Sequence, residues 1–292
     1  MNNIYYKQVE EIIRKNLKQR GLDGIELEGE LEGAAASLLE GKTILIVTGF
    51  VIRDALTGET DGPIGAVSLA GALEQLGKKV IFVTDEYSKN ILHSCQNVKG
   101  LMCPIEIIPI GSESSFCQSL LKRYNPTHVA AIERPGRNAD RRCYSMGGED
   151  LSDIVPNTDI LFEEAKNQGI ITIAVGDGGN EVGMGKIRSY VMDSLYNGKQ
   201  ICAAVNTDFL ILAGVSNWGG HALSAALSIL TGIMLLHDAK TEEKLLNSIV
   251  EAGAVDGVTK KRAMTVDGLS LEDNLNMLNL LRNAVESAIK KL

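Results

Sequence analysis

A glycine-rich segment in the second half of the chain carries the residues best suited to chemistry. It reads ITIAVGDGGNEVGMG and places Asp177, Asn180 and Glu181 among glycines. Carboxylates can hold a hard cation such as Mg²⁺ or Mn²⁺, or transfer a proton, and glycines let the backbone pass close to a ligand. A purely structural turn needs fewer glycines. We therefore predict that Asp177 and Glu181 are catalytic and that Asn180 contacts a substrate.

A loop rich in arginine is the second candidate. It reads AIERPGRNADRRCYSMGGED, and its charged residues Glu133, Arg134 and Arg137 directly follow an apolar segment. Arginine presents a planar fork of donors that suits carboxylate or phosphate, so this loop indicates an anionic ligand. A surface ion-pair network is the competing interpretation. We expect Glu133 to be catalytic and both arginines to bind the substrate.

A third loop, TGFVIRDALTGETDGPIGA, is far longer than the usual strand-to-helix connection and is therefore a candidate binding loop or lid. Thr48, Thr60 and Gly62 are assigned here to substrate binding, and Asp61 to a metal. A structural interpretation has equal weight, since Thr60 or Asp61 can cap a helix whose first turn contains Pro63. Both roles can coexist.

The segment AGVSNWGGHALSAAL predicts a helix start that offers free N–H groups. Such groups can receive a carboxylate, and the Asn217 side chain adds a directed donor beside Ser216. We expect these two residues to bind the substrate. Trp218 is more typical of a core anchor and His221 of a satisfied helix histidine.

Six short apolar segments rich in β-branched residues must position these loops, because each polar loop follows one of them. The predicted strands are Thr43–Val47, Lys79–Val83, Ile105–Ile108, His128–Ile132, Ile170–Val175 and Phe209–Ala213. The helical segments between them are Ile64–Leu76, Ser112–Tyr124, Thr158–Gln168 and His221–Leu236. This alternation predicts an α/β fold, a three-layer, doubly wound, mostly parallel sheet with helices on both faces. Ligands of such sheets bind beyond the carboxyl ends of the strands.

Length and patterning predict one α/β domain over residues 1–292. An amphipathic N-terminal helix is expected at about 2–20 and a long C-terminal helix at about 270–291. Such helices serve packing, or contact between subunits of a homo-oligomer, more often than catalysis.

Composition excludes several classes of function. With 37 acidic and 29 basic residues, the chain repels polyanions, so we expect no nucleic-acid partner. Its five cysteines show no spacing typical of disulfide frameworks or zinc sites. A polar N-terminus without a signal peptide, and the absence of a bilayer-length apolar segment, predict a soluble cytoplasmic protein without a membrane partner.

Two familiar phosphate-chemistry motifs resemble GDGGNE only in part. The metal loop of haloacid-dehalogenase phosphatases is similar, but the chain has no DxDx[TV] segment to supply the nucleophile. The GGDGTxNE loop of lipid and NAD kinases differs in spacing and in its threonine. No GxGxxG fingerprint follows the first strand, so no nucleotide cofactor is predicted.

In their order and separations, the segments TGF, ETDGPIGA, AIERPGR, GDGGNEVGMG and GVSNWG resemble the D-glutamate cyclase family, specifically its C-terminal-like domain. The resemblance covers nearly the whole chain, with small departures such as Val51 where proline is expected. It implies conversion of D-glutamate, a small acidic substrate, to 5-oxo-D-proline and water. The animal enzymes of this family look like two-domain proteins, and the resemblance places this chain on the second domain only.

The reaction that the resemblance implies needs a folded substrate, a deprotonated amine and a neutralised γ-carboxylate. As hypotheses, Arg134 or Arg137 and the amides near Asn217 hold carboxylates, and Glu133 or Glu181 takes the amine proton. Asp61, Asp177 and Glu181 would hold Mg²⁺ or Mn²⁺. Two other functions compete: a non-catalytic domain that binds an acidic amino acid or nucleotide, and a metal-dependent phosphotransfer or phosphohydrolase enzyme.

Overall fold

A computed structural model describes residues 3–291. The strands, in chain order, are β1 (Thr43–Thr48), β2 (Val51–Ile52), β3 (Thr57–Gly58), β4 (Lys79–Thr84), β5 (Ile105–Ile107), β6 (His128–Ile132), β7 (Ile171–Gly176), β8 (Phe209–Leu212), β9 (Thr265–Val266) and β10 (Leu269–Ser270). The first seven helices are α1 (Asn3–Ile13), α2 (Leu17–Arg20), α3 (Glu30–Glu40), α4 (Pro63–Gln75), α5 (Lys89–Lys99), α6 (Glu113–Tyr124) and α7 (Asp159–Asn167). The others are α8 (Arg188–Ser194), α9 (Gly198–Ile201), α10 (Ser216–Thr231), α11 (Ala239–Glu251) and α12 (Leu271–Ile289), and a 3-10 turn spans Gly185–Ile187.

Six strands form one parallel sheet in the order β5-β4-β1-β6-β7-β8. The chain first builds outward from β1 through β4 to β5, and then returns to the other side of β1 with β6, β7 and β8. The direction of winding therefore reverses between β1 and β6, where Thr48 lies opposite Ile132. Doubly wound sheets bind ligands in the crevice that such a reversal opens at the carboxyl ends of the strands.

Alternate residues of each strand enter two separate hydrophobic cores. On β1, Ile44 and Ile46 pack in a core formed with α1, α3, α4, α5, α10, α11 and α12. Leu45 and Val47 pack on the opposite face with α2, α6, α7 and α8. Because both faces of the sheet are covered, the inner strands are apolar over most of their length, whereas the edge strand β5 is only partly buried and carries Glu106. The predicted α/β class and its parallel, doubly wound sheet are confirmed.

The start of the chain differs from the single N-terminal helix expected at about 2–20, of which residue 2 lies outside the described part. Asn16 adopts a left-handed conformation with φ of 76° and separates α1 from α2. Ile13 belongs to one core and Leu17 to the other, so the break carries the chain from one face of the sheet to the other. The same break brings Arg20 toward the carboxyl ends of the strands.

Helix α10 begins at Ser216, five residues earlier than the expected His221, and it ends at Thr231 instead of Leu236. Gly232 follows it in the left-handed conformation that commonly terminates helices. The C-terminal helix α12 lies within the expected bounds and starts with a capping box formed by Ser270 and Asp273. Within residues 3–291, no helix is both long and apolar enough to cross a membrane.

Candidate active site

The loops after three strands of the sheet, β1, β6 and β7, contribute to a cavity of about 280 Å³ at its carboxyl edge. Of the residues that the sequence singled out, Glu133, Asp177, Asn180 and Glu181 line it. Glu133 follows β6 directly, and the other three follow β7. The loops after these neighbouring strands are joined by backbone hydrogen bonds, such as Gly136 N to Asn180 O at 2.8 Å. The expected convergence of polar loops at one edge is therefore observed.

Carboxyl groups dominate this cavity and its floor. Glu59, Asp61, Glu133, Asp177 and Glu181 are all buried. The last three each offer an oxygen, and these atoms lie within 4.8 Å of one another. Asp61 and Asp177 form a second group of the same kind with Asp267. Oxygen-rich groups of this sort are the ligands that Mg²⁺ and Mn²⁺ prefer.

Glu181 combines a fixed orientation with a free oxygen. Its Oε1 accepts the Gly178 N–H at 2.8 Å, whereas its Oε2 is buried without a hydrogen-bond partner within the described chain. A Cβ atom on Gly178 would lie 2.6 Å from Oε1, so the side chain approaches the backbone where only glycine leaves room. Buried polar atoms normally have partners, so the free oxygen points to a ligand or proton.

Glu133 lies beside this loop, with a carboxyl oxygen within 4.8 Å of oxygens of Asp177 and Glu181. Its backbone adopts a left-handed conformation with φ of 47°, which is uncommon for a residue with a side chain. Its Oε2 accepts a hydrogen bond of 2.5 Å from the Ser216 hydroxyl at the start of α10. Ser216 thus orients a catalytic candidate, although we expected it to bind the substrate.

Burial controls the ionisation of these groups. It raises the pKa of Glu133 well above the usual range, and repulsion from Glu181 and Asp61 adds to the effect. Burial also raises the pKa of Asp177, although the nearby guanidinium of Arg20 opposes this. The pKa of Glu181 is raised by burial as well. A carboxyl group with a raised pKa can carry a proton at neutral pH, as general acids do.

Arg20 is the main residue of this site that sequence reasoning missed. Its Nη2 contacts Asp177 Oδ2 at 2.5 Å and also bonds to Asp267. Asp267 adopts φ of 53° in the tight turn between β9 and β10. The N-terminal segment and the β9–β10 turn therefore both line the cavity, and so does Glu59, which the sequence did not single out as a site residue either.

Asp61 and Asn217 cap one another's helices beneath the cavity. The Asp61 carboxylate accepts the N–H groups of Ser216 and Asn217 at 2.8 and 2.7 Å. In return, Asn217 Oδ1 accepts the N–H groups of Gly62 and Gly65 at 2.9 and 2.8 Å. The N–H groups at the start of α10, which we expected to receive a substrate carboxylate, are therefore not free. The chain's own Asp61 occupies them.

The two expected arginines lie outside the cavity. Arg134 is 0% exposed, and its guanidinium bonds to Asp85 and to the Gly49 carbonyl. Arg137 donates to the carbonyls of Arg141 and Val155. Both side chains therefore hydrogen-bond to neighbouring loops and do not line the cavity.

The threonines and Gly62 lie just below the cavity. Thr48 Oγ1 is buried without a partner in the described chain, and Thr60 Oγ1 donates to the Thr265 carbonyl at 2.9 Å. Gly62 has φ of 97°, and a Cβ atom there would lie 2.7 Å from the Glu133 side chain. Gly62 therefore allows the loop to pass against the catalytic candidate.

A separate buried cluster lies in the helical layer, away from this edge. Glu242 accepts from His221 at 3.2 Å and from His237 at 2.5 Å. The network joins α10 to α11 through side chains that are all buried. His221, which we expected to be a satisfied helix histidine, thus has a carboxylate partner on its Nε2, whereas its buried Nδ1 has no partner within the described chain.

Comparison with known proteins shows the family to which the chain belongs. A sequence model of the family described as D-glutamate cyclase-like, C-terminal, matches residues 9–282. The chain is 33% identical to the mitochondrial D-glutamate cyclase of Homo sapiens over 300 aligned positions, which cover 90% of this chain and 49% of the human protein. The chain thus spans about half the length of this curated relative.

Proposed function

Because the chain belongs to the D-glutamate cyclase-like family and matches its C-terminal part, we propose that it is a lyase of the same kind. In this proposal it converts D-glutamate to 5-oxo-D-proline and water. The observation that carries the proposal is the buried oxygen of Glu181, without a partner in the described chain, inside a cavity lined by further carboxyl groups.

The proton balance of the reaction suits such a cavity. The α-nitrogen attacks the γ-carboxyl carbon, one carbon–oxygen bond breaks, and the oxygen leaves as water. The ammonium group loses two protons and the departing oxygen gains two, so no external acid, base or oxidant is consumed. The enzyme has to relay protons over a short distance and hold the substrate in a folded conformation.

Glu181 is the best placed proton acceptor. Its Oε2 is free to take a proton from the ammonium group, whereas Glu133 Oε2 is already engaged by the Ser216 hydroxyl. Burial raises the pKa of both carboxyl groups, but Arg20 and the Gly178 N–H oppose it at Glu181, whereas repulsion from neighbouring carboxyl groups adds to it at Glu133. Glu133 can therefore hold a proton and deliver it to the departing oxygen. The two roles follow from two environments in one cavity.

A site for Mg²⁺ or Mn²⁺ stays a proposal, and the donor atoms favour a ligand set in which Glu133 replaces Asp61. Glu133, Asp177 and Glu181 fit Mg²⁺ or Mn²⁺ because their oxygens lie within 4.8 Å of one another and one of them has no partner in the described chain. Asp61, which we expected in this set, is occupied by three backbone N–H groups. A bound ion would polarise the γ-carboxyl group and offset the charge of the cluster. Because it would occupy the same oxygens as the protons, the ion and the proton relay described above are alternative uses of these carboxyl groups.

The test is turnover of D-glutamate and L-glutamate with Mn²⁺ or Mg²⁺, resolved by chiral chromatography. We expect 5-oxo-D-proline from D-glutamate, and a loss of turnover on the order of 100-fold or more in Glu181→Gln with the fold retained. The exposed Glu86, on the same edge but outside the cavity, provides the control Glu86→Gln. Tight binding of D-glutamate without product would overturn the proposal in favour of a non-catalytic binding domain.

A further inference from the structure

The cavity poses an electrostatic problem for any acidic amino acid. Its buried carboxyl groups repel a substrate that carries two carboxylates of its own. A bound metal ion would offset this charge beside the γ-carboxylate, and the α-carboxylate still needs a cationic side chain that faces the cavity. Arg134 and Arg137 bond to other partners, and Asp61 fills the helix terminus at Ser216. Two other cations line the cavity, but Arg53 pairs with Asp153 and the Lys260 ammonium bonds to the Gly257 carbonyl.

Arg20 has the properties that these positions lack. It lines the cavity, and its side chain is 16% exposed, so it is largely desolvated and still reachable. Both of its ion pairs, to Asp177 and Asp267, use Nη2. Within the described chain, Nε and Nη1 donate to no other side chain, so the guanidinium keeps donors for a further anion.

The chain holds Arg20 in place from two sides. The link between α1 and α2 packs on the backbone of Gly214, whose N–H donates to the Ile13 carbonyl at 2.8 Å. A Cβ atom on Gly214 would lie 1.8 Å from the Lys15 carbonyl oxygen, so this contact is backbone to backbone. Arg20 is therefore preorganised, which lowers the entropy cost of binding an anion.

From this geometry we infer that Arg20 is the receptor for the α-carboxylate of the substrate and determines its specificity for α-amino dicarboxylates. The inference rests on the proposed function for the identity of the substrate. The guanidinium forms a charge-assisted pair with the α-carboxylate, while Asp177 and Asp267 keep it oriented. The γ-carboxylate then lies toward Glu133 and Glu181, where the ring closes.

Two ligands separate this role from a structural one. D-Glutamate and 4-aminobutanoate share the amine and the distal carboxylate, and 4-aminobutanoate lacks the α-carboxylate. Calorimetry on the full chain should show that Arg20→Met weakens D-glutamate binding on the order of 100-fold and 4-aminobutanoate binding less than about threefold. Arg20→Lys should fall between wild type and Arg20→Met for D-glutamate.

Arg14→Met is the matched control, since Arg14 lies on the same N-terminal segment and donates to the Ile25 carbonyl outside the cavity. It should leave the ratio of the two affinities unchanged.

An equal loss of affinity for both ligands in folded Arg20→Met, or unchanged D-glutamate binding, would overturn the inference. If the proposed reaction is wrong but the inference is right, the wild type shows the Arg20-dependent binding pattern and forms no 5-oxoproline. Turnover of D-glutamate whose KM is unaffected in Arg20→Met would overturn the inference alone.

Discussion

Individual carboxyl groups at the cavity differ mainly in what surrounds them. Glu181 keeps a free oxygen, and Glu133 accepts a hydrogen bond from the Ser216 hydroxyl. The Asp61 carboxylate instead accepts backbone N–H groups at the start of α10. The residue types alone do not distinguish these roles. The local hydrogen bonds do, and they make Glu181 the acceptor and Glu133 the donor in the proposed proton relay.

The raised pKa values predict how stability depends on pH. Because burial raises the pKa of Glu59, Glu133 and Asp177, the folded protein binds protons on these groups more tightly than the unfolded chain does. Their stabilising contribution is complete below the unfolded pKa of about 4 and is lost as the pH rises through the folded values. We expect the Tm of metal-free protein to fall between pH 5 and pH 8, and Mn²⁺ to raise it most at pH 8.

Differential scanning calorimetry of wild type and Glu133→Gln checks this expectation. The variant lacks one of the titrating groups, so its Tm should fall less over the same pH range, and its response to Mn²⁺ should be smaller. An identical pH profile for both proteins would show that Glu133 ionises normally in the fold.

The sequence identified the residues of the cavity that stand in dense local motifs, such as Asp177 and Glu181. It missed Arg20, since the surrounding NLKQRGLDG is ordinary polar sequence and only tertiary contacts bring Arg20 to the site. Asp267 had a usable signal, because an Asp-Gly pair between short apolar segments is typical of a hairpin turn. The sequence around Asp267 does not show which residues such a turn would contact.

Among the helices, the crossing of α4 and α10 is the element that fixes the site. A Cβ atom on Gly65 would lie 2.8 Å from the Asn217 Cα, and one on Gly220 would lie 2.6 Å from the Gly65 Cα. The two helix starts therefore touch through their backbones, which allows Asp61 and Asn217 to cap each other's helix. The glycines also explain why α10 starts earlier than expected, since Gly219 and Gly220 resemble a loop in sequence.

Gly220→Ala should therefore separate the two helices and disturb the caps. We expect a loss of about 2 kcal/mol in the free energy of unfolding, as for overpacked cores, together with reduced turnover. Urea unfolding measures the first effect. Gly147→Ala is the control for stability, because the nearest atom to a Cβ there is 3.6 Å away and the backbone φ is ordinary. A folded Gly220→Ala with unchanged stability would contradict the close crossing.

At the scale of the whole molecule, the fold was predicted from the sequence more completely than the candidate site was. Each strand of the parallel sheet begins or ends within about one residue of the expected position, because apolar segments of β-branched residues report burial on both faces. Helices such as α5 were not expected, since its sequence KNILHSCQNVK is mostly polar and its apolar residues cover one narrow face. The single-domain organisation, the homo-oligomer and the cytoplasmic location remain predictions.

The relation between the two ends of the chain and the sheet matters most for activity. Arg20 comes from the N-terminal segment, Asp267 comes from the hairpin before α12, and the carboxyl groups come from the strand ends. All of the groups that the proposal uses thus belong to this chain, although it spans about half the length of its human relative.

A crystal soaked with Mn²⁺ and D-glutamate provides the most direct measurement of whether one cavity holds both ion and substrate. The anomalous difference map should show manganese among Glu133, Asp177 and Glu181, with the ligand's α-carboxylate on the Arg20 guanidinium. Manganese bound instead at the buried His221, His237 and Glu242 cluster, or a ligand bound outside the carboxyl edge of the sheet, would contradict the proposed site.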